Sequence, residues 1–210
     1  MWRAAGFLSV CLATALAVGS PPVLARRPAG WTVLLYIHDD CRQENCGRIA
    51  RIVEQFAQVG SSERVEVLAF VDQVETAPAL MNQPGMAGGR LFRVDAGALA
   101  LVATYPGEPN MGSATTLSWA LSRALEYSAR ENLAVISIGH GSPWVGLTPD
   151  ASSFDPLTFE EYAIGLQRVF DTWGRRPDVL ALTHCGTACV EALFALASCA
   201  RWILASEDLT

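Results

Sequence analysis

Lysine is absent from this sequence of 210 residues, and all 15 of its basic residues are arginines. Schiff-base chemistry on a lysine amine and the lysine-dependent phosphate loop of nucleotide hydrolases are therefore excluded. Charged residues make up 17% of the chain, and its formal net charge is −6. This acidic balance gives no support to nucleic-acid binding, because clustered cations supply most of the affinity for the phosphate backbone.

Cysteine occurs in an odd number once the N-terminal segment is set aside. Of the six cysteines, Cys11 lies in that segment and five follow it. In an exported protein an odd count leaves at least one thiol without a disulfide partner in the same chain, which marks a candidate reactive site. Cys41 and Cys46 lie close together in a loop-like stretch and are candidates for a disulfide.

The first 25 residues have the composition of a secretory signal peptide. They contain one early basic residue, Arg3, then an apolar segment over 4–18 and Val-Leu-Ala at 23–25. That segment is shorter than the ~20 residues that a membrane-spanning helix needs. The sequence predicts a cleaved signal over 1–25, export to the periplasm or the extracellular space, and one domain over 26–210. The alternative is that the segment stays uncleaved and anchors the protein in the membrane. Cleavage is favoured, which leaves a mature chain without stable membrane insertion.

After the signal, nearly continuous apolar runs alternate with amphipathic segments. Such runs are typical of strands that are covered on both faces, and the segments between them carry apolar residues at helical spacing. Thr158 and Glu161 form a capping box that predicts a helix to about Trp173, and another helix is predicted from Gly186 to about Ala197. This pattern predicts a three-layer α/β/α sandwich with a mainly parallel central sheet. The expected strands are 31–38, 65–72, 133–140, 178–182 and 201–206.

Two turn-rich stretches interrupt this alternation. Residues 73–112 are rich in Gly, Pro, Met and Asn, and they predict an excursion or a small hairpin. Residues 141–156, GSPWVGLTPDASSFDP, predict an exposed loop.

All three histidines of the chain fall where a predicted strand ends. His38 and His140 are the last residues of WTVLLYIH and LAVISIGH, and His184 closely follows DVLAL. In a parallel sheet, ligands and reactive groups lie beyond the carboxyl ends of the strands. The sequence therefore predicts one site at this edge of the sheet rather than three unrelated surface histidines.

Cys185 is the candidate nucleophile of this site. It stands at the predicted junction of a strand and a helix, where exposed N–H groups and the helix dipole favour a thiolate. His140 can move protons, and Gly141 leaves room for a substrate carbonyl to approach a backbone N–H. A structural thiol at a helix start is the alternative for Cys185.

The neighbours of Cys185 are expected to have other roles. Cys189 falls one turn inside the predicted helix, and a buried structural thiol is favoured for it and for Cys199. His184 is expected to face solvent or a loop, because adjacent residues at a strand end point in opposite directions. These side chains are ligand types that zinc uses, but their spacing matches no zinc pattern, so no metal site is expected here.

Several segments, in order along the chain, resemble the clostripain-like cysteine peptidases of bacteria. The opening strand and acidic turn of that family resemble WTVLLYIHDD, and its second strand region resembles QVGSSERVEVLAFVDQ. Its helix, strand and His-Gly motif resemble TLSWALSRALEYSARENLAVISIGHGSPW. Its nucleophile segment and following strand resemble DVLALTHCGTACVEALFAL and ILASED. The resemblance covers roughly residues 31–208.

This resemblance implies a caspase/gingipain-like fold and a polypeptide substrate. It gives His140 the role of general acid and base, Cys185 that of nucleophile, and the Gly141 N–H a place in the oxyanion hole. Thr183 then takes the substrate-binding position where the family carries an aspartate that selects a basic side chain. No cofactor is required for this chemistry.

Other implications of the resemblance are less complete. Clostripain-like enzymes are often associated with calcium, but Asp39 and Asp40 are few against the ~6–8 oxygen ligands of that ion. The family has Ala where this chain has His184, and commonly Asp or Asn where it has Gly139. The chain also ends soon after ILASED, at Thr210, so a C-terminally incomplete domain is expected. An inactive or truncated relative, acting as a pseudopeptidase or binding module, is the alternative function.

Overall fold

The computed structural model of the protein describes residues 28–38, 46–74, 77, 79–85, 87–147, 150 and 152–208. The predicted signal peptide, Cys41 and the Asp39-Asp40 pair lie outside these residues. Within them, no helix is long and apolar enough to cross a membrane.

Thirteen helices and strands follow one another along the described residues. The helices are α1 (Cys46–Ala57), α2 (Ala114–Tyr127), α3 (Phe159–Trp173) and α4 (Val190–Leu196). The strands are β1 (Trp31–His38), β2 (Val65–Gln73), β3 (Gly88–Asp95), β4 (Ala98–Thr104), β5 (Asn132–Gly139), β6 (Gly141–Ser142), β7 (Gly146–Leu147), β8 (Val179–Leu182) and β9 (Trp202–Ala205).

Seven strands form the central sheet, in the order β4-β3-β2-β1-β5-β8-β9. The strands from β2 to β9 in this order run parallel, whereas β3 and β4 are antiparallel to their neighbours. The mainly parallel sheet is therefore confirmed. The stretch 73–112 contributes a real hairpin, β3-β4, which extends one edge of the sheet.

The sheet separates two apolar layers, as a three-layer sandwich requires. On one face, α2, α3 and α4 pack on side chains such as Leu34, Val135 and Leu180. On the other face, α1 packs on side chains such as Leu35 and Val71. Alternate residues of the buried strands serve opposite layers because side chains alternate along a strand. The predicted α/β/α sandwich is confirmed.

The ends of α3 follow the sequence signals closely. The Thr158 hydroxyl accepts a hydrogen bond from the Glu161 N–H, and the Glu161 carboxylate accepts one from the Thr158 N–H. The helix ends at Gly174, whose left-handed backbone (φ 61°) suits a residue without a Cβ. The capping box is therefore confirmed.

Two local predictions were wrong. The stretch 141–156 is not a simple exposed loop, because it contains the β6-β7 hairpin and the buried Leu147 and Asp150. The fourth helix does not begin at Gly186 but at Val190, so the residues before it form a turn.

Candidate active site

The three histidines lie at or just beyond the carboxyl ends of neighbouring strands of the central sheet. In the sheet, β5 lies between β1 and β8, and His38 pairs with Gly139 at the end of the β1-β5 ladder. The β5-β8 ladder ends with Ser137 opposite Leu182. The turns that carry His140 and Cys185 follow the carboxyl ends of these two neighbouring parallel strands. The predicted gathering of the histidine positions at one sheet edge is thus confirmed for the backbone.

The turn that carries Cys185, residues 183–189, is fixed at both ends by hydrogen bonds. At its start, the N–H and the hydroxyl of Thr183 both donate to the Ser137 carbonyl, each over 3.0 Å. At its end, the Ala188 N–H donates to the Ser206 carbonyl over 2.8 Å. The turn is therefore tied to β5 on one side and to the segment after β9 on the other.

Inside this turn, a threonine and a glycine hold the backbone away from a helix. The Thr187 hydroxyl donates to the carbonyl of His184 over 2.9 Å and lies 3.3 Å from that of Leu182. Gly186 adopts a left-handed conformation with φ 63°. These contacts explain why the chain does not enter α4 directly after β8.

The turn after His140 packs directly against the turn of Cys185. A Cβ placed on Gly141 would lie 2.5 Å from the His184 Cβ and 3.3 Å from the Cys185 carbonyl oxygen. A Cβ on Gly186 would lie 3.3 Å from the Pro143 ring, and the Cys189 Sγ lies 3.8 Å from the Pro143 carbonyl oxygen. The two segments that carry the candidate dyad are therefore in van der Waals contact.

His140 is exposed and has a partner that the sequence did not suggest. The Arg48 Nη1 of α1 lies 2.9 Å from the His140 Nε2. A guanidinium can only donate hydrogen bonds, so Nε2 accepts this one and the neutral ring carries its proton on Nδ1. Arg48 could not have been found from motif spacing, because the contact joins residues 92 positions apart in the sequence.

The three described cysteine thiols differ in environment. Cys185 is half-buried and lies in the turn before α4. Because α4 begins only at Val190, its dipole does not favour a thiolate at Cys185 in the way that the sequence predicted. Cys189 is not inside the helix either; it is the N-cap residue of α4 and half-buried. Cys199 is buried in the core as predicted, and burial raises the pKa of its thiol.

The residues just before Cys185 depart from expectation in one respect. The prediction that His184 faces solvent was wrong, because its side chain is 0% exposed, whereas the alternative that it faces a loop agrees with its packing on the turn at Gly141. Thr183 is exposed, and its hydroxyl is engaged with the Ser137 carbonyl. At the candidate substrate position this chain thus presents a neutral side chain where the resembling family has a carboxylate.

No group of three or more His, Cys, Asp or Glu side chains among the described residues is arranged to hold a metal ion. The candidate zinc ligands around Cys185 therefore do not form a site. The acidic turn after β1, which was weighed for calcium, lies outside the described residues. Calcium binding therefore stays a prediction.

Comparison with known proteins finds relatives among solved structures only. An inactive zymogen C11 protease from Parabacteroides distasonis superposes with a TM-score of 0.65 at 18% identity, covering 89% of this chain and 51% of that one. A secreted C11 cysteine protease from Bacteroides thetaiotaomicron, in complex with an irreversible peptide inhibitor, superposes with a TM-score of 0.66 at 15% identity, covering 86% and 50%. No family model and no curated protein matches the sequence.

This chain has the fold of the C11 cysteine proteases. C11 is the clostripain-like family, so the fold that the resemblance implied is confirmed. The chain spans about half the length of these C11 structures. At this sequence identity a shared fold does not establish a shared activity, which depends on the residues of the turns after β5 and β8.

Proposed function

We propose that the protein is an exported cysteine endopeptidase of clostripain type that cleaves peptide bonds through a Cys185–His140 dyad. The observation that carries this proposal is the direct packing of the His140-Gly141 turn on the Cys185 turn, at the carboxyl edge of a C11-type sheet. Acyl transfer by cysteine needs a thiol and an imidazole at one place. The parallel pairing of β5 with β8 supports this proposal, because both candidate residues follow the carboxyl ends of neighbouring strands.

The proposed reaction has two halves. The Cys185 thiolate attacks the peptide carbonyl carbon, a C–S bond forms, and the His140 imidazolium protonates the departing amine as the C–N bond breaks. Water then attacks the thioester, His140 takes the water proton, and the Cys185 sulfur leaves with release of the carboxylic acid. The Gly141 N–H is the proposed donor to the oxyanion that forms in each half.

In this proposal His140 is the group that must deprotonate the Cys185 thiol. Because α4 begins only at Val190, the thiolate lacks the helix N-terminus that lowers cysteine pKa values in many enzymes. Proton transfer to His140 is then the route to the nucleophile. In the neutral ring the proton acceptor is Nε2, which lies 2.9 Å from the Arg48 Nη1, so this contact must open before His140 can take the Cys185 proton.

We also propose that this site does not demand a basic residue before the scissile bond. An ionised aspartate would attract such a side chain, and Thr183 offers no charge. Its hydroxyl proton is already donated to the Ser137 carbonyl. A substrate with a polar or small side chain at that position fits a neutral, hydrogen-bonded pocket wall better than an arginine does.

The mechanism is tested by labelling with an electrophilic peptide ketone that alkylates an active thiolate. The mature chain should be modified at Cys185, and both Cys185→Ala and His140→Ala should lose the label. Cys189→Ala is the matched control, because it removes a half-buried thiol of the same turn and should keep the label. Labelling that persists in both dyad variants would exclude the dyad.

A pseudopeptidase or binding module is the competing function. It is favoured by the neutral Thr183, which stands where the resembling family has a carboxylate. Such a protein would show no labelling in the wild type and would bind an uncleaved peptide equally well before and after Cys185→Ala. The same set of variants therefore separates the two functions.

A further inference from the structure

His184 is a buried histidine immediately before the candidate nucleophile. Its side chain is 0% exposed, between an exposed Thr183 and a half-buried Cys185. Histidine is intermediate among residue types in how often it is buried, so complete burial distinguishes His184 from the exposed His140. The clostripain-like resemblance places alanine here, so this chain fills a space that a smaller residue would leave.

The His184 side chain packs on the turn that follows His140. A Cβ on Gly141 would lie 2.5 Å from the His184 Cβ and 3.4 Å from its Cγ. Carbon atoms without a bond between them do not approach to 2.5 Å, so Gly141 and the side chain at 184 are mutually dependent. Glycine at 141 therefore serves the close approach to His184 as well as access of a substrate to its N–H.

His184 is itself held firmly in place. The Thr187 hydroxyl donates to the His184 carbonyl over 2.9 Å, and Thr183 is tied to the Ser137 carbonyl on β5. Because the backbone is fixed on both flanks, the His184 Cβ is held at a constant place between the turns. Gly141 is bonded directly to His140. A shift of the His184 side chain that displaces Gly141 therefore also moves the His140 imidazole.

We infer that His184 is a positioning residue that sets the distance between His140 and Cys185. The inference rests on the proposed cysteine peptidase function, since it concerns the geometry of that dyad. His184 does not touch the substrate; it acts through the Gly141 backbone on one side and through its covalent neighbour Cys185 on the other. Misplacement of reacting groups by about 1 Å lowers rates by about a hundredfold.

The contact predicts a specific dependence of one substitution on the other. Gly141→Ala should slow peptide-ketone labelling of Cys185 by about tenfold to a hundredfold when His184 is present, because the new Cβ displaces the turn. In a His184→Gly background the nearest remaining atom is the Cys185 carbonyl oxygen, 3.3 Å from that Cβ. There, Gly141→Ala should slow labelling by a clearly smaller factor than it does with His184 present, because the 2.5 Å clash is gone.

Single substitutions of His184 test whether its packing controls the labelling rate independently of the overall stability of the protein. His184→Ala keeps the Cβ that meets Gly141 but empties the buried space of the ring, so the turns can shift and the peptide-ketone labelling rate should fall by about tenfold or more. His184→Gln, which refills most of the space, should recover most of that loss. Gly165→Ala is the control, since a Cβ there would lie 2.9 Å from the Leu117 side chain between α2 and α3, in the helix layer. It should lower the melting temperature without a comparable loss of labelling.

The outcomes distinguish this inference from the function on which it rests. A wild-type chain that is not labelled at Cys185 overturns the proposed function, and the positioning role with it. A labelled wild type in which His184→Ala reacts at the wild-type rate overturns the positioning role alone. An equal effect of Gly141→Ala in the His184 and His184→Gly backgrounds also overturns it.

Discussion

Replacement of Asp150 by asparagine should destabilise the protein by an amount that depends on pH. Asp150 lies between β7 and α3, in the segment that follows the His140-Gly141 turn, and it is 1% exposed. One carboxylate oxygen accepts four hydrogen bonds, from the N–H and hydroxyl groups of Ser152 and Ser153, at 2.7–3.0 Å. The other accepts the Met111 N–H over 2.9 Å.

The magnitude follows from what an amide can replace. The asparagine oxygen can keep the serine donors, but its NH₂ group then faces the Met111 N–H and leaves that buried donor without an acceptor. This costs about 1–3 kcal/mol, and hydrogen bonds to a charged group are worth about 1.5–3 kcal/mol. With partial compensation we expect Asp150→Asn to lower the unfolding free energy by about 2–3 kcal/mol. For a domain of this size that corresponds to about 5–10 °C in melting temperature.

The pH dependence follows from the titration of the carboxyl group. Burial raises the pKa of Asp150, but the hydrogen bonds from Ser152, Met111 and Ser153 outweigh it, and the pKa falls below 3.8. A lowered folded-state pKa contributes stability that is present above the unfolded value and is lost as pH falls through the folded value. The difference between wild type and Asp150→Asn should therefore be fullest above about pH 5 and shrink below 3.8.

Urea unfolding of wild type and Asp150→Asn at pH 7 and near pH 3 measures this difference. Asp155→Asn is the control, because Asp155 is half-buried and its amide form can still accept the Asn110 side-chain N–H, which lies 2.7 Å away. It should cost less than about 1 kcal/mol. Equal stability of wild type and Asp150→Asn at pH 7, or a loss that does not change with pH, would refute the reasoning.

Three further predictions concern the dyad, a helix end and a buried thiol. Arg48→Met should raise the rate of peptide-ketone labelling about threefold to fivefold, since an exposed charge interaction of ~0.5–1 kcal/mol no longer opposes the imidazolium; a slower rate would assign Arg48 a supporting role. Thr158→Ala should lower the unfolding free energy by about 1 kcal/mol in urea titrations, because the capping box at α3 is lost; an unchanged midpoint would contradict this. Cys199 should react with iodoacetamide more slowly than Cys185 in the native protein, since burial raises its pKa; peptide mass mapping would reveal the reverse order.

Regular elements were predictable where the pattern was strong. Strand β5 and helix α3 carry an unbroken apolar run and a capping box, and both were placed within one or two residues. For β3-β4 the sequence predicted only an excursion or a small hairpin, because the glycines and polar residues there weaken the strand signal. Pairing with β2 makes the hairpin part of the central sheet. Local propensity was overridden there by neighbours that lie far away in the sequence.

The site was predicted in its positions more than in its details. The end of β5 and the end of β8 lie side by side because parallel strands bring their carboxyl ends to one edge, a rule that sequence alone can apply. The start of α4 was misplaced because Gly186 and Thr187 close a turn through backbone contacts that have no helical pattern to reveal them. Arg48 and the burial of His184 depend on long-range packing, which spacing along the chain does not encode.

These differences change where the reactivity of the site originates. With Cys185 at a helix start, the dipole alone would favour a thiolate, and the histidine could vary in position with little effect. With Cys185 in a turn before α4, the proposed activation depends on the distance to His140, which we infer to be set by the contact between Gly141 and His184. The residue that departs most from the clostripain-like pattern thus lies at the point where the two turns meet. A peptidase built this way should tolerate changes at the exposed Thr183 far better than changes beneath Gly141.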